Sequence, residues 1–164
     1  MFKEFFRRPE IIQDEIYEKK FKKIFNLSNR KILKKFINDE NKLRSKPGII
    51  WCRDWVDTRI KIEFHQTWLD IIIPNQNRTI SNRYQNLVTP QKADLYSDRG
   101  DLRCEVVSEN KFLVKTHIID NNCNHKFNEK KLNTANSKLI IDYIIKQICK
   151  IIKEGYGNKI IKKN

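Results

Sequence analysis

The stretch Arg59-Ile60-Lys61-Ile62-Glu63-Phe64-His65, residues 59–65, decides the fold class because apolar and polar residues alternate through it without a break. A period of two is the pattern of a β-strand that buries one face. Its three apolar side chains are predicted to face a hydrophobic core, and its four polar ones to face water or a partner. The chain is therefore predicted to contain a sheet with one buried face.

The sequence on either side of this strand extends the sheet. Residues 49–56 are predicted to pair with residues 59–65 as a hairpin, and residues 67–73 to form a third strand that stops at a proline. Trp51 and Trp55 lie four residues apart, so they share one face of the first strand. They either join the core or stack on unpaired bases of a nucleic acid.

A second hairpin is predicted further along the chain. Residues 102–107 and 112–118 carry apolar residues at alternate positions, and the polar residues between them form a turn. Residues 75–99 and 120–136 are polar and show no clear period, so no helix or strand is predicted there. The first of these polar segments is a long insertion within a compact domain, and such insertions are often functional.

Two amphipathic helices are predicted ahead of the sheet. Residues 10–25 carry apolar residues at helical spacing behind Pro9, which suits a first helical turn. Ser28 is a candidate N-cap for a second helix over residues 29–43, and the two helices would form an antiparallel hairpin with a basic rim. The inner stripe of the second helix is predicted to be Ile32, Leu33, Phe36, Ile37 and Leu43.

A third helix is predicted near the C-terminal end of the sequence. Thr134 or Ser137 can cap its start, and Gly155 follows as its stop. Lysines occupy its polar side. Its apolar side is predicted to consist of Ile141, Ile144, Ile145, Ile148, Ile151 and Ile152.

These elements predict an α+β fold. An N-terminal helical hairpin, residues 1–46, precedes an α+β core over residues 47–155, which contains the polar insertion at 74–100. The core holds a mostly antiparallel sheet of four or five strands with the long C-terminal helix packed on it, and a basic tail follows over residues 156–164. At 164 residues the chain fits one domain overall.

The charge balance indicates a polyanionic partner. The chain has 34 Lys and Arg against 20 Asp and Glu, a net charge of +14. Residues 1–46 hold 14 basic and 7 acidic residues and residues 101–164 hold 13 and 7, whereas residues 47–100 are nearly balanced with 7 and 6. Nucleic acid is the polyanion that such a surface predicts first. The alternative is a merely basic surface, because the Lys, Ile, Asn and Phe content is typical of an AT-rich genome.

Candidate nucleic-acid-binding residues fall into three groups. Arg78, Arg83 and Tyr84 in the polar insertion can grip phosphates and stack on bases. The other two groups are lysines, which attract a polyanion without reading its shape. They are Lys31, Lys34 and Lys35 in the second helix, and Lys159, Lys162 and Lys163 in the tail.

Catalytic and metal signatures are weak, so no catalytic residue, no metal ligand and no cofactor is predicted. A zinc site could draw on Cys104, His117, Cys123 and His125, but only the last two are close in sequence. A metal-dependent nuclease could use Asp101 with Glu109-Asn110-Lys111, but Glu109 falls in a predicted turn. With only four glycines there is no glycine-rich phosphate loop.

These patterns together predict a structural RNA-binding component of a ribonucleoprotein, most readily a ribosomal protein of an organelle or an AT-rich genome. RNA of the ribosomal kind and neighbouring proteins of an assembly are the expected partners, with DNA kept open. The four separated cysteines and the absence of a membrane-spanning apolar run predict an intracellular location, a mitochondrion or other organelle included. The alternatives are a metal-dependent nuclease or other DNA-acting enzyme, and a protein-binding scaffold subunit.

Overall fold

The computed structural model describes residues 9–44, 59–74, 99–120 and 124–155, which form three helices and five strands. The helices are α1 (Pro9–Ile24), α2 (Leu27–Arg44) and α3 (Ser137–Glu154). The strands are β1 (Lys61–Phe64), β2 (Trp68–Pro74), β3 (Arg99–Ser108), β4 (Lys111–Ile119) and β5 (His125–Leu132).

The five strands form one antiparallel sheet in the order β1-β2-β3-β4-β5, so each strand pairs with its neighbour in sequence. The helical pair precedes the sheet and the third helix follows it. The predicted α+β fold is therefore confirmed. Antiparallel strands can be joined by tight turns, and here the two-residue turn Glu109-Asn110 joins β3 to β4.

All three helices pack on one face of the sheet, the core face. The apolar side chains of alternate strand positions are almost completely buried there against the helices. Phe25 of the α1–α2 connection contacts both Phe64 and Phe112, with ring centroids 6.4 Å apart in each pair. The largest buried side chains of this core are Phe21, Phe25, Phe112, Leu33, Leu69, Ile71, Ile73, Leu102, Ile140, Ile144, Ile148 and Ile151.

The start and the inner stripe of α2 differ from the prediction. The helix begins at Leu27, and its first turn is capped by the Asn26 side chain, whose Oδ1 accepts a hydrogen bond from the Asn29 amide at 3.0 Å, in place of the predicted Ser28. Leu33 and Ile37 are buried as predicted, but Ile32 and Leu43 are 50% and 52% exposed. The buried stripe of α2 is narrower than its apolar residues suggest because only one side of the helix contacts the core.

A side chain of α2 fixes the chain where it enters the sheet. The Asn41 amide nitrogen donates to the Ile60 carbonyl at 3.0 Å, and Asn41 Oδ1 accepts from the Ile60 amide at 2.7 Å. A primary amide can form this pair of bonds because it carries a donor and an acceptor side by side, as a backbone strand does. The contact connects α2 directly to the residue before β1.

The strand predictions are mostly confirmed. Within residues 59–65, Ile60 is buried, and Ile62 and Phe64 pack against the core. β1 pairs with β2, the predicted third strand. The proposed partner strand 49–56, with Trp51 and Trp55, lies outside the described residues, as does the segment 75–98. The β3–β4 hairpin is found where it was predicted, but β3 begins at Arg99, three residues earlier, and has a bulge between Val106 and Ser108, where the Val107 carbonyl accepts the Tyr17 hydroxyl at 3.0 Å.

The polar segment after β4 contains a strand that the sequence pattern does not predict. β5 pairs with β4 along its whole length, from Ile119–His125 to Phe112–Leu132. Seven of its eight residues are exposed. An edge strand whose side chains are almost all exposed has no buried face, so it shows no alternation of apolar and polar residues.

Helix α3 covers the core face from a start that also differs from the prediction. Its N-cap is Asn136, whose side chain accepts from the amides of Lys138 and Leu139, while Thr134 Oγ1 instead accepts from the Asn136 amide. Gly155 ends the helix as predicted. Of the six predicted isoleucines all but Ile145 are buried, and Ile145 packs at the margin of the core.

None of the described helices has an apolar stretch long enough to cross a lipid bilayer.

The thiol of Cys104 lies on the core face and is completely buried. Burial, with a smaller contribution from the Glu105 charge, raises the pKa of this thiol to about 12. We therefore expect Cys104 to resist iodoacetamide in the native protein near pH 8, because only the thiolate reacts and the side chain is out of reach. Peptide mass spectrometry should find that the exposed Cys149 is alkylated much faster. Equal rates at the two cysteines in folded protein would contradict the described core.

Candidate nucleic-acid interface

The face of the sheet opposite the helices, here called the open face, carries polar and aromatic side chains. No described helix packs on it. Because directly opposed residues in a sheet point to the same side, the strand registers arrange these side chains in rows across the strands. One row is Ile72, Asp101, His117 and Phe127, and the next is Glu63, Asp70, Arg103, Lys115 and Glu129.

The second row is charged but largely neutralised within the open face. Arg103 contacts both carboxylate oxygens of Asp70, at 2.7 and 3.2 Å. The hydrogen bond to Asp70 raises the pKa of Arg103 above its usual value. Lys115 Nζ lies 3.2 Å from Glu105 Oε1. These cations already have carboxylate partners, so the centre of the open face is polar without being strongly basic.

The side chain of Trp68 is held in place by its neighbours. Its indole nitrogen donates to Asp70 at 3.2 Å, and His65 stacks on the indole with ring centroids 4.5 Å apart. The Arg103 guanidinium lies over the same ring at 5.5 Å. Trp68 is therefore part of a fixed polar cluster rather than an exposed platform.

Three rings meet near the β4–β5 edge of the open face. Phe127 and His117 are directly opposed and stack face to face, with ring centroids 4.4 Å apart and planes at 5°. His125 Nδ1 lies 2.8 Å from His117 Nε2, and His117 Nδ1 lies 3.4 Å from Asp101 Oδ2. The Phe127 side chain is 75% exposed although it is large and apolar. This cluster of Phe127, His117 and His125 is called the ring cluster below.

A shallow depression of about 430 Å³ lies beside the ring cluster. Its floor is the two rows already described, with acidic and basic groups in nearly equal number. The depression therefore offers hydrogen-bond donors and acceptors close to an aromatic wall formed by Phe127. Its lining is Glu63, Asp70, Ile72, Asp101, Leu102, Arg103, Lys115, Thr116, His117 and Phe127.

The lysines of β5 lie on both sides of the sheet: Lys131 shares the open face with Phe127, whereas Lys126 and Lys130 oppose the buried Ile118 and Val114 and point to the other side. Lys126, Lys130 and Lys131 are exposed on this edge strand. Lys130 lies over the Tyr143 ring of α3 at 5.4 Å, and Lys126 is 3.8 Å from Asp120. The exposed edge therefore combines positive charge with the open ring of Phe127. Its sequence, HKFNEKKL, interleaves basic and aromatic residues.

The residues predicted to bind nucleic acid are found in different places. Lys31, Lys34 and Lys35 are exposed on α2, in the helical layer on the other side of the sheet from the open face. Lys34 Nζ and the Arg30 guanidinium lie over the Phe64 ring, at 5.7 and 4.6 Å. The other six predicted residues, Arg78, Arg83, Tyr84, Lys159, Lys162 and Lys163, lie outside the described residues.

The positions of the side chains also bear on the two metal-based alternatives, the zinc site and the metal-dependent nuclease. Cys104 points into the core, on the opposite side of the sheet from His117, and Cys123 lies outside the described residues. Glu109 lies in the exposed β3–β4 turn, the length of β3 away from Asp101. Within the described ranges, no three His, Cys, Asp or Glu side chains come together in a metal-binding arrangement.

The ring cluster was not predicted because it depends on a strand register. His117 and His125 are eight positions apart in the sequence, and only the pairing of Ile119 with His125 brings them to adjacent strands of one face. The one sequence signal was an unusual aromatic residue within a polar run. Comparisons of the chain with protein-family models, with curated proteins and with solved structures gave no match.

Proposed function

We propose that the protein is a structural RNA-binding component of a ribonucleoprotein and that the open face of its sheet contacts unpaired bases. The observation that carries this proposal is the ring of Phe127, which is exposed and stacked on His117, with Lys131 on the same face of β5. An antiparallel sheet with one open face that presents aromatic rings is a common surface for unpaired RNA bases.

The geometry of the ring cluster favours stacking over structural packing. Phe127 gains little from burial where it stands, since three quarters of its side chain faces solvent. A base placed on its outer ring face would extend the stack that His117 already begins. The paired carboxylates and cations of the neighbouring depression can then meet the hydrogen-bond donors and acceptors on the edge of that base.

Positive charge supports phosphate binding at two separate surfaces. Lys131 of β5 shares the open face with the ring cluster, and the predicted lysines of α2 lie in the helical layer behind the sheet. A short single strand on the open face would contact only the first surface. An RNA that wraps the protein could contact both, which favours a large folded RNA within an assembly.

The ribosome is the assembly that we propose on grounds of size and charge alone. A chain of 164 residues with a net charge of +14 suits a component embedded in ribosomal RNA. An intracellular site of action, in an organelle or in an organism with an AT-rich genome, belongs to the same proposal.

Replacing Phe127 with Ala is expected to weaken binding of a single-stranded oligoribonucleotide of about ten nucleotides, a typical length for one domain. One stacked base contributes about 1–3 kcal/mol, and the variant should lose that amount. The dependence of log K on log salt should stay the same, because no charge is removed. Fluorescence anisotropy titrations at several salt concentrations would measure both quantities.

Three variants control this experiment. Phe127→Tyr keeps a ring and should bind nearly as well as the parent, and Leu139→Ala removes an exposed apolar side chain from α3, away from the face. The triple change of Lys31, Lys34 and Lys35 to Gln removes charge that this short strand does not reach, so its salt slope should stay the same, whereas that of a large folded RNA should fall by about two to three, at about 0.7–0.9 per phosphate. Equal losses for Phe127→Ala and Leu139→Ala, or no binding of RNA by the parent protein, would overturn the proposal.

A further inference from the structure

We infer that His117 and His125 form a binding site for a zinc ion on the open face, with Asp101 orienting the inner histidine. This inference stands on the geometry of the three side chains and does not depend on RNA binding. It uses only the two histidines of the four residues, Cys104, His117, Cys123 and His125, that the sequence offers for a zinc site without predicting one.

The two imidazoles meet edge to edge, with their nitrogens facing each other. The ring centroids are 5.0 Å apart and the planes differ by 18°, while His117 Nε2 and His125 Nδ1 are 2.8 Å apart. So short a nitrogen–nitrogen distance at that centroid separation requires both nitrogens to lie near the line between the ring centres. One of the two nitrogens carries a hydrogen, and the lone pair of the other accepts it.

A zinc ion can take the place of that shared hydrogen. Zinc binds imidazole nitrogen at about 2.0–2.1 Å, so tetrahedral geometry holds two such nitrogens about 3.3 Å apart. The rings therefore need to separate by about half an ångström and tilt so that their lone pairs converge. His125 can make this movement because it is exposed on the edge strand. His117 can remain where it is, held between Phe127 and Asp101.

Asp101 supplies the orientation that a histidine ligand requires. Its Oδ2 lies 3.4 Å from His117 Nδ1, which can donate its hydrogen to the carboxylate. That bond leaves the lone pair of His117 on Nε2, the nitrogen that faces His125. A carboxylate that holds the far nitrogen of a histidine in this way is the usual support of a metal ligand.

The number of protein ligands determines how tightly the site can hold zinc. Structural zinc sites use four protein ligands and are closed, whereas the described residues provide two nitrogens here. The remaining coordination positions are open to solvent or to an oxygen or nitrogen atom of a bound molecule. The site should accordingly bind zinc more weakly than a structural zinc site and should exchange it readily.

Zinc titration of the reduced full-length protein by isothermal calorimetry tests this inference. We expect one zinc ion per chain, with binding lost in His125→Ala and weakened about 10–100-fold in Asp101→Asn, the usual effect of removing the group behind a histidine ligand. His65→Ala removes the only other histidine of the chain and should bind zinc like the parent. Zinc should also raise the melting temperature of the parent protein, but not that of His125→Ala.

The four cysteines are the competing zinc ligands. Unchanged zinc affinity in His125→Ala would place the ion on thiols and overturn the inference, as would absence of zinc binding by the parent protein. The folding of each variant can be checked by its melting temperature without metal. His125→Ala should retain the parent value because the side chain is exposed.

Discussion

Replacing Ile148 with Asp is expected to unfold the protein. Ile148 lies at the centre of the α3 stripe and is completely buried against the sheet. The change removes a large apolar side chain, which alone costs about 2–5 kcal/mol, and it adds a carboxylate without a partner. The sum is comparable to the whole stability of a domain, about 5–15 kcal/mol. Circular dichroism during urea unfolding would measure the loss.

A second substitution in the same helix tests whether burial causes the loss. Leu139→Asp places the same residue in the first turn of α3 at a position that is 57% exposed. It should leave the melting temperature nearly unchanged. If Ile148→Asp kept the parent melting temperature and only lost a binding partner, α3 would be an interface, and the scaffold alternative would gain.

Replacing Gly100 with Ala is expected to cost about 3 kcal/mol, near the upper end of the range for overpacking a core. Gly100 lies on β3 opposite Ile73, on the core face, where Ile151 of α3 packs against it. A Cβ atom there would collide with Cγ2 of Ile151 and would lie 3.2 Å from the His117 carbonyl oxygen on its other side. The gain from restricting the unfolded chain, about 0.4–1 kcal/mol, is smaller than this cost. Equilibrium urea unfolding measures the difference.

The collision with one methyl group can be tested by changing Ile151. Leu has nearly the same volume as Ile but lacks Cγ2, so Gly100→Ala should be better tolerated in an Ile151→Leu background. Ile151→Val keeps both branches at Cβ and should give no such relief. If Gly100→Ala costs as much in the Ile151→Leu background as in the parent protein, the coupling free energy between the two substitutions is near zero. Gly100 would then be required for some other reason.

The sequence was most informative where one face of an element is buried. The alternation in residues 59–65 and in the β3–β4 hairpin follows from burial on the core face, and the isoleucines of α3 follow from the same cause. Ile32 and Leu43 are the exceptions, because an apolar residue near the buried stripe of a helix need not be covered. The caps at Asn26 and Asn136 differ from the predicted ones by one or two residues, since several residue types can cap a helix at neighbouring positions.

The ring cluster could not be predicted because its signal is not local. β5 has no buried face, so no hydrophobic pattern indicates the strand or its pairing with β4. Without that pairing, His117 and His125 are two isolated histidines, and Phe127 is one aromatic residue in a polar run. Lys31, Lys34 and Lys35 were predicted to be exposed because lysine on the outer side of an amphipathic helix requires no tertiary information. Their binding of RNA stays a prediction.

The lysines of the edge strand have a consequence for self-association in solution. Among the described residues no strand pairs with the outer side of β5, and such an edge can act as a template for strands of other molecules. In an antiparallel pair of two β5 strands centred between Asn128 and Glu129, Lys126 would lie opposite Lys131. Shifted to centre on Asn128, the pair would place Lys126 opposite Lys130. Like charges that face each other across a strand pair are destabilising, so these registers resist the growth of continuous sheets from which fibrils form.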